Sequence, residues 1–345
     1  MAKRSVAGRQ GPAAERAAGR GAWEGEHATL AEVAGTVLQR DLSTLLLHHV
    51  RILAGADARS VHDMRVTTRR LRAALRLFAD AVPVPAPSLG VELGWLSGRL
   101  GAVRDLDVQL AAAARWRRRL PDGHVGGVDE VIGVLARQRG EALGDLLQAL
   151  DSERCAALTL GLGRLADTMR AERGATVPVA AAVPAAKVLP RRIRAAHRRA
   201  VVARRRARKR GRARDLHRLR IRCKQLRYGI ELASELYPST APAAVSRIAA
   251  LQDRLGALQD DVVLIARLRA LLEADRTALS PQAALVVGVL ADRLEHRANR
   301  GLQRMPDRLG GLGGRAWRAL RDDMRDRARR CEVADPPGTS DPGPD

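Results

Sequence analysis

Apolar residues recur along most of the chain at steps of three and four positions, the spacing of one face of an α-helix. Between residues 61 and 78 this face comprises Met64, Thr68, Leu71, Leu75 and Phe78. Ala, Leu, Arg and Glu, all good helix formers, dominate the sequence, and no stretch shows the period of two that is typical of strands. The pattern predicts an all-α protein with loops where Gly and Pro cluster, at residues 82–90, 121–127, 175–190 and 310–314.

Two sequence motifs each occur twice, and both pairs share one offset of 155 residues. VHDMRVTTRRLRAALRLF (61–78) matches LHRLRIRCKQLRYGIELA (216–233), and LSGRLGAVRDLDV (96–108) matches LQDRLGALQDDVV (251–263). Two ungapped matches at the same offset rarely arise by chance, so the repeat predicts a duplicated unit. We expect each unit to be a bundle of about four helices.

Changes in amino-acid composition along the chain predict the boundaries of these units. Residues 28–174 are predicted to form the first bundle and residues 187–332 the second, with a linker rich in Ala, Val and Pro at 175–186. The basic N-terminus, residues 1–27, and the tail, residues 333–345, are expected to be disordered.

A second face of each repeated helix is basic and lies roughly 120° from the apolar one. We call these faces the basic stripes; they comprise His62, Arg65, Arg69 and Arg72 in the first unit and His217, Arg220, Lys224 and Arg227 in the second. Like charges one helical turn apart repel each other, and an external anion would offset that repulsion. Because the first stripe spans ~15 Å of helix axis, we expect an extended or multivalent anion.

The alternative is that the stripes are ordinary basic surfaces balanced by acids on neighbouring helices. Asp105 and Asp260, from the second repeated motif, are the candidates for that balance. The same motif carries Gly101 and Gly256, which would allow helices to approach closely. A structural role for this motif is at least as well supported as a role in ligand binding.

The formal net charge is +23, from 61 Lys and Arg against 38 Asp and Glu. Residues 187–227 alone hold 19 bases and one acid, and therefore most of the excess, which predicts a polyanionic partner. Within that window, RRRARKRGRAR (204–214) resembles flexible basic segments that contact phosphates, so a nucleic-acid-binding protein is the alternative function. The seven aromatic residues are not interleaved with the basic stripes, which argues against a base-stacking platform.

Other classes of protein are disfavoured. No apolar run approaches the ~20 residues of a membrane span, and the three widely spaced cysteines favour a reducing, cytoplasmic setting. The motifs GxxxxGK[ST], HExxH and GxSxG do not occur, which disfavours an enzyme. His62 and His217 have no metal-ligating partner at i+3 or i+4, so neither a metal nor a cofactor is predicted.

At HDMRVTTRRLRAALRLF and HRLRIRCKQLRYGIEL the sequence resembles the CHAD family of histidine-bearing α-helical domains, over about residues 28–330. The resemblance implies two four-helix bundles related by pseudo-twofold symmetry, which together form one compact module around a basic pore or groove. It also implies binding of inorganic polyphosphate and association with polyphosphate granules.

The family's histidine and basic positions carry over onto the eight residues of the basic stripes. Further candidates for polyphosphate contact are Arg76, Arg99, Arg254, Arg191 and Arg194. No ExExK signature of a fused triphosphate-tunnel hydrolase is found, so a stand-alone module is expected. The second motif diverges between the units, since Gln259 stands opposite Arg104 and Val262 opposite Asp107.

Overall fold

The computed structural model describes residues 28–55, 57–82, 86–171, 178–274 and 279–333, which form ten α-helices and no strand beyond an isolated bridge. The helices are α1 (Leu30–Gly55), α2 (Ala58–Leu77), α3 (Ala86–Arg117), α4 (Val125–Leu150), α5 (Glu153–Ala171), α6 (Ala185–Arg210), α7 (Ala213–Leu232), α8 (Ala241–Ala274), α9 (Pro281–Arg304) and α10 (Arg315–Val333). The all-α prediction is confirmed. The predicted disordered segment 1–27 and residues 334–345 of the predicted tail lie outside the described residues.

The helices fall into two halves of five, α1–α5 and α6–α10. A shift of 155 residues superposes the bounds of α1 on those of α6 and of α2 on those of α7, and α3 and α8 also begin 155 residues apart. About four helices per half were expected, and the structure has five. The fifth helix of each half packs on the first, so that α5 covers α1 and α10 covers α6.

Backbone pairing at the junction follows a two-fold pattern. The Leu30 N–H donates to the Val183 carbonyl at 2.9 Å, and the Ala185 N–H donates to the Ala28 carbonyl at 2.8 Å. The 155-residue shift interchanges these two bonds, as a two-fold axis between the halves would. Equivalent helices also meet across the junction, α1 with α6, α2 with α7 and α4 with α9.

One continuous apolar core runs through both halves. Leu, Ala and Val supply most of it, as the aromatic content of 2% requires, while Phe78 and Tyr237 are the largest aromatic side chains buried in it. All three cysteines are buried, and none of them forms a disulfide bond. None of the described helices is both long and apolar enough to cross a membrane.

The Arg-rich run 204–214 is helical, and its interpretation as a flexible segment was wrong. It comprises the last turns of α6, the two connecting residues Gly211 and Arg212, and the start of α7. Gly211 has a φ of 61°, a left-handed conformation that glycine adopts without a Cβ clash, and its N–H donates to the Ala207 carbonyl. The run stays helical because Ala207 packs in the core while its neighbours remain exposed.

Several loops are shorter than predicted. α6 begins at Ala185, inside the predicted linker, and residues 178–184 before it include a 3₁₀ turn whose Ala181 is buried. α3 and α4 begin at Ala86 and Val125, before the predicted loops end. Proline is compatible with the first turn of a helix, because the backbone N–H groups there have no intrahelical acceptor and proline loses no hydrogen bond by lacking one.

A buried ion-pair cluster joins the two halves at their junction. The carboxylate of Asp41, which is 3% exposed, accepts from Nε and Nη2 of Arg70 at 3.1 Å each. Arg40 donates to Asp41 at 3.3 Å and, across the junction, to Glu235 at 2.5 Å. The cluster therefore joins α1 and α2 to the turn that follows α7.

Asp41→Ala should lower the free energy of unfolding by about 2 kcal/mol, because it leaves Arg70 without its carboxylate in a largely buried setting. The matched control is Asp145→Ala, which breaks the exposed pair with Arg99 and should cost under ~1 kcal/mol. Urea denaturation measures both. Equal losses in the two variants would show that the cluster does not support the junction.

Candidate functional site

The basic stripes are carried by α2 and α7, which contact each other across the junction. Each helix is anchored by the apolar face predicted for it: Met64 and Leu71 are buried on α2, and Leu219 and Leu226 are buried on α7. Burial of these faces turns the basic faces away from the core of each half and toward the other half.

Between the halves lies a cavity of about 480 Å³. It is lined by residues of α2, α3, α7 and α8, by Arg119 in the turn after α3, and by Arg297 of α9. Six of the eight residues of the basic stripes line it: His62, Arg65, Arg69, His217, Arg220 and Lys224. Two stripes that are 155 residues apart in the sequence therefore form one site.

The environment of Lys224 shows how closely the stripes converge. Its pKa is lowered to about 8, first by burial and then by repulsion from Arg220 on its own helix and from Arg69 and Arg65 on the opposite half. An ammonium group is disfavoured where desolvation and cations act together. A bound anion would reverse the second of these effects.

The Gly and Asp of the second motif support the arginines of the basic stripes. The Arg65 guanidinium lies over Gly101, 3.6 Å from where a Cβ would sit, and donates to Asp105 at 3.1 Å. Arg220 lies over Gly256 in the same way, at 3.8 Å. An alanine would make ordinary contact at either position, whereas a longer side chain would displace the guanidinium.

The two carboxylates of this motif also converge. Burial is the main cause of a raised pKa at Asp260, and the nearby carboxylates of Asp261 and Asp105 raise it further, while Arg220 and Lys224 lower it. Asp105 and Asp260 thus balance part of the positive charge, as the alternative interpretation predicted. They do not balance all of it, because eight Arg and Lys residues line the cavity against three Asp.

The two histidines occupy equivalent positions with different neighbours. Burial and the cations Arg104, Arg65 and Arg69 lower the pKa of His62, which favours its neutral imidazole. His217 instead has its Nδ1 2.9 Å from the amide oxygen of Gln259. Since Gln259 is the counterpart of Arg104, the divergence noted in the second motif lies inside the cavity and beside the histidines.

Sequence reasoning missed four bases of the cavity, namely Arg104, Arg115, Arg119 and Arg297. Arg104 and Arg115 lie on one stripe of α3 together with Val108 and Ala112, and Arg119 follows in the turn after the helix. The spacing of this stripe would have revealed them. Arg297, on α9, donates twice to Asp261, and no motif marks it.

The remaining predicted candidates do not line the cavity. Arg72 packs over Gly94, Arg227 pairs with Glu231 at 3.5 Å, and Arg99 pairs with Asp145 at 3.0 Å. Arg76, Arg254, Arg191 and Arg194 are also absent from the lining.

The difference between Asp107 of the first half and Val262 of the second has a structural explanation. Asp107 is 9% exposed and accepts from Arg139 of α4 at 2.7 Å. Their counterparts in the second half are Val262 and Leu294, so both members of the ion pair are apolar there. This position therefore belongs to the packing of each half.

The cavity can bind an anion through several unpaired donors. Within the described part of the chain, Arg69, Arg104, Arg220 and Lys224 have no carboxylate within ion-pair distance. The Nε atoms of Arg65 and Arg220 are buried without a hydrogen-bond partner in that same part. Nor do the described residues include a group of three or more His, Cys, Asp or Glu that could hold a metal ion.

Lys224→Met should raise the free energy of unfolding at pH 7 by about 1 kcal/mol, since it removes a charge that folding disfavours and that remains partly screened by solvent. Above pH 8 the Lys224 ammonium loses its proton in the folded protein, whereas in the unfolded chain it keeps that proton up to about pH 10.5. The wild type therefore gains stability as the pH rises, and the difference in free energy of unfolding between variant and wild type shrinks. Denaturation at pH 7 and pH 10 measures this. Lys209→Met, at an exposed position, is the control and should show no gain.

The model of the CHAD domain family matches residues 36–269 of the chain, which include both repeated motifs. Among solved structures, the crystal structure of the CHAD domain from the plant Ricinus communis is similar at a TM-score of 0.67 and 28% sequence identity, and the match covers 88% of this chain and 93% of that one.

PptA from Streptomyces chartreusis is also similar, at a TM-score of 0.63 and 20% identity, with 84% of this chain and 99% of that one covered. At that identity the likeness shows the fold alone. No curated protein gives a significant match.

Proposed function

The chain belongs to the CHAD domain family, and we propose that it binds inorganic polyphosphate in the cavity between its two halves. His62, Arg65 and Arg69 of α2 and His217, Arg220 and Lys224 of α7 contact the phosphates, with Arg104 beside them. Arg72 and Arg227, although part of the basic stripes, contact the ligand only where it extends beyond the cavity.

The convergence of the two basic stripes in one cavity carries this proposal. Bases that repel each other in a partly buried space raise the free energy of the protein without a ligand. A multivalent anion reverses that effect and provides acceptors for the unpaired donors of Arg65 and Arg220.

A linear phosphate polymer suits the geometry. Arginine forks hold phosphate oxygens two at a time, and each stripe continues along its helix for ~15 Å. The stripes approach from opposite halves, so consecutive phosphates of one chain are held alternately by both.

We propose binding without cleavage. The cavity lining contains no Ser, Thr, Tyr or Cys, so it offers no hydroxyl or thiol nucleophile. Two of its three carboxylates, Asp105 and Asp261, are engaged by Arg65 and Arg297. A protein of this kind is expected in the cytoplasm on polyphosphate granules, where it stores the polymer, senses it or recruits other molecules to it.

Nucleic acid is the second candidate, favoured by the eight bases of run 204–214. A competition titration at fixed salt separates the two. Long-chain polyphosphate should displace a labelled oligonucleotide at much lower phosphate concentration than unlabelled DNA does, because a duplex is too wide for the cavity. Equal displacement by both would favour the nucleic-acid function.

Arg69→Ala and Lys224→Ala should each weaken binding of polyphosphate by about tenfold, because each removes a charged hydrogen-bond donor. Calorimetric titration measures the affinity. Arg254→Ala and Arg191→Ala are the controls. Each removes one positive charge, as the test variants do, but from a base outside the cavity. If all four variants bind alike, the cavity is not the site.

Binding should weaken by up to about tenfold between pH 7 and pH 9, because the free protein loses the Lys224 proton above pH 8 and must take it up again to bind. Lys224→Arg, whose charge persists throughout this range, should bind with nearly constant affinity. An identical pH dependence in both proteins would show that Lys224 does not contact the ligand.

A further inference from the structure

The last turns of α1 carry a cluster of exposed apolar side chains. We call this cluster the α1 patch; it comprises Leu46, Leu47, Val50 and Leu53, which are 41% to 66% exposed. No other described helix has more than two exposed large apolar side chains. Single exposed apolar residues are ordinary on a protein surface, whereas a cluster within eight positions of one helix indicates a surface for interaction.

The second half shows that the fold does not need the α1 patch. α6 is the counterpart of α1, and it has Arg205 and Arg208, both exposed, at the positions of Val50 and Leu53. The same helix therefore forms with charged side chains at these positions. Packing within one chain does not account for the apolar side chains of the first half.

The α1 patch lies clear of the junction between the halves. α1 bonds to the second half through Leu30 and Arg40, and Val50 lies about 15 Å beyond Arg40 along the helix axis. α2 and α5 pack on other faces of α1, which carry the buried Leu45 and Ile52. The patch is therefore open to a second molecule.

Apolar positions around Val50 follow a symmetric pattern. Leu46 and Leu47 precede Val50 by four and three residues, and Leu53 and the exposed Ala54 follow it by three and four. These steps place all five side chains on one side of the helix. An antiparallel second α1 presents the same pattern, so that Val50 faces Val50 and the two leucines of one copy face Leu53 and Ala54 of the other. The patch is thus self-complementary, as a two-fold interface requires.

The distribution of charge also favours a second copy at this surface. Residues 28–174 hold 20 Arg against 17 Asp and Glu, a net charge of +3, whereas residues 187–332 hold 36 Lys and Arg against 15 Asp and Glu, a net charge of +21. Within residues 43–54 the only Lys, Arg, Asp or Glu is Arg51. Two copies that meet through this part of α1 therefore repel each other least.

We propose that the α1 patch is a self-association surface, through which two copies of the protein pair α1 against α1 about a two-fold axis at Val50. Four aliphatic side chains provide less than the ~800 Å² per partner of a standard interface, so we expect a weak dimer with a dissociation constant on the order of tens of micromolar. This pairing does not depend on what the cavity binds.

Sedimentation equilibrium at protein concentrations on both sides of that constant tests the proposal. Wild type should show a monomer–dimer equilibrium that strengthens about threefold between about 0.1 M and about 0.5 M NaCl, because salt screens the repulsion between two copies and leaves the apolar contact in place. Copies held together by a shared polyanion would instead separate as salt rises.

The variant Val50→Arg, Leu53→Arg gives α1 the residues that α6 has at these positions. It should weaken self-association at least about tenfold, because like charges from both copies then face each other. It should keep the wild-type unfolding transition, since α6 is helical with Arg at both positions. The matched control is Val91→Arg, Leu160→Arg, which adds the same charge at residues of the same half that are 66% and 62% exposed. It should associate within about twofold of wild type.

A cysteine at the proposed axis tests the geometry of the pairing. Val50→Cys should give a disulfide-linked dimer on mild air oxidation, because the axis brings the two thiols within bonding reach. Ser43→Cys, exposed two turns earlier on the same side of α1, should not, since its copies lie far from the axis. The three native cysteines are buried and do not compete.

Distinct outcomes overturn the proposal in distinct ways. Wild type that stays monomeric at every concentration refutes self-association, and equal weakening in the two Arg variants shows that added charge alone acts. If copies associate but Val50→Cys does not cross-link, they meet elsewhere and the α1 pairing is wrong. If a monomeric wild type binds phosphatidylcholine vesicles and Val50→Arg, Leu53→Arg does not, the patch is a lipid-binding surface instead.

Discussion

The structure depends on one constraint: two equivalent helices hold like charges close together between them. α2 and α7 meet across the junction with their basic faces turned toward each other, so Arg69 and Lys224, from opposite halves, act on each other in one partly buried space. Such an arrangement opposes folding. Apolar faces on the far side of both helices and the buried Asp41 cluster hold it in place.

The two halves have diverged in their internal packing, whereas His, Arg and Asp of the two repeated motifs recur in the cavity. Asp107 and Arg139 pair in the first half, where the second has Val262 and Leu294. The cavity instead keeps His, Arg and Asp at equivalent positions of both halves. Packing tolerates an exchange of an ion pair for apolar residues of similar volume, whereas recognition of a phosphate needs the donors themselves.

The sequence was sufficient to predict the all-α fold and six of the cavity residues, because helical periodicity and an ungapped repeat are local signals. Arg104, Arg115 and Arg119 were missed since only the stripes on the repeated helix were followed, and Arg297 depends on how α9 packs against α8. The run 204–214 was misread as flexible because its charge density hid Ala207, the buried residue that fixes the helix. Arg72 and Arg227 share the spacing of the stripes but lie beyond the cavity, which spacing alone does not reveal.

A crystal structure of the protein with a short polyphosphate chain tests the central claim most directly. Phosphate oxygens are predicted within hydrogen-bond distance of Arg65 and Arg69 from one half and of Arg220 and Lys224 from the other, in a single bound chain. A polyphosphate chain bound only outside the cavity, with the guanidinium of Arg65 still paired to Asp105 alone, would contradict it.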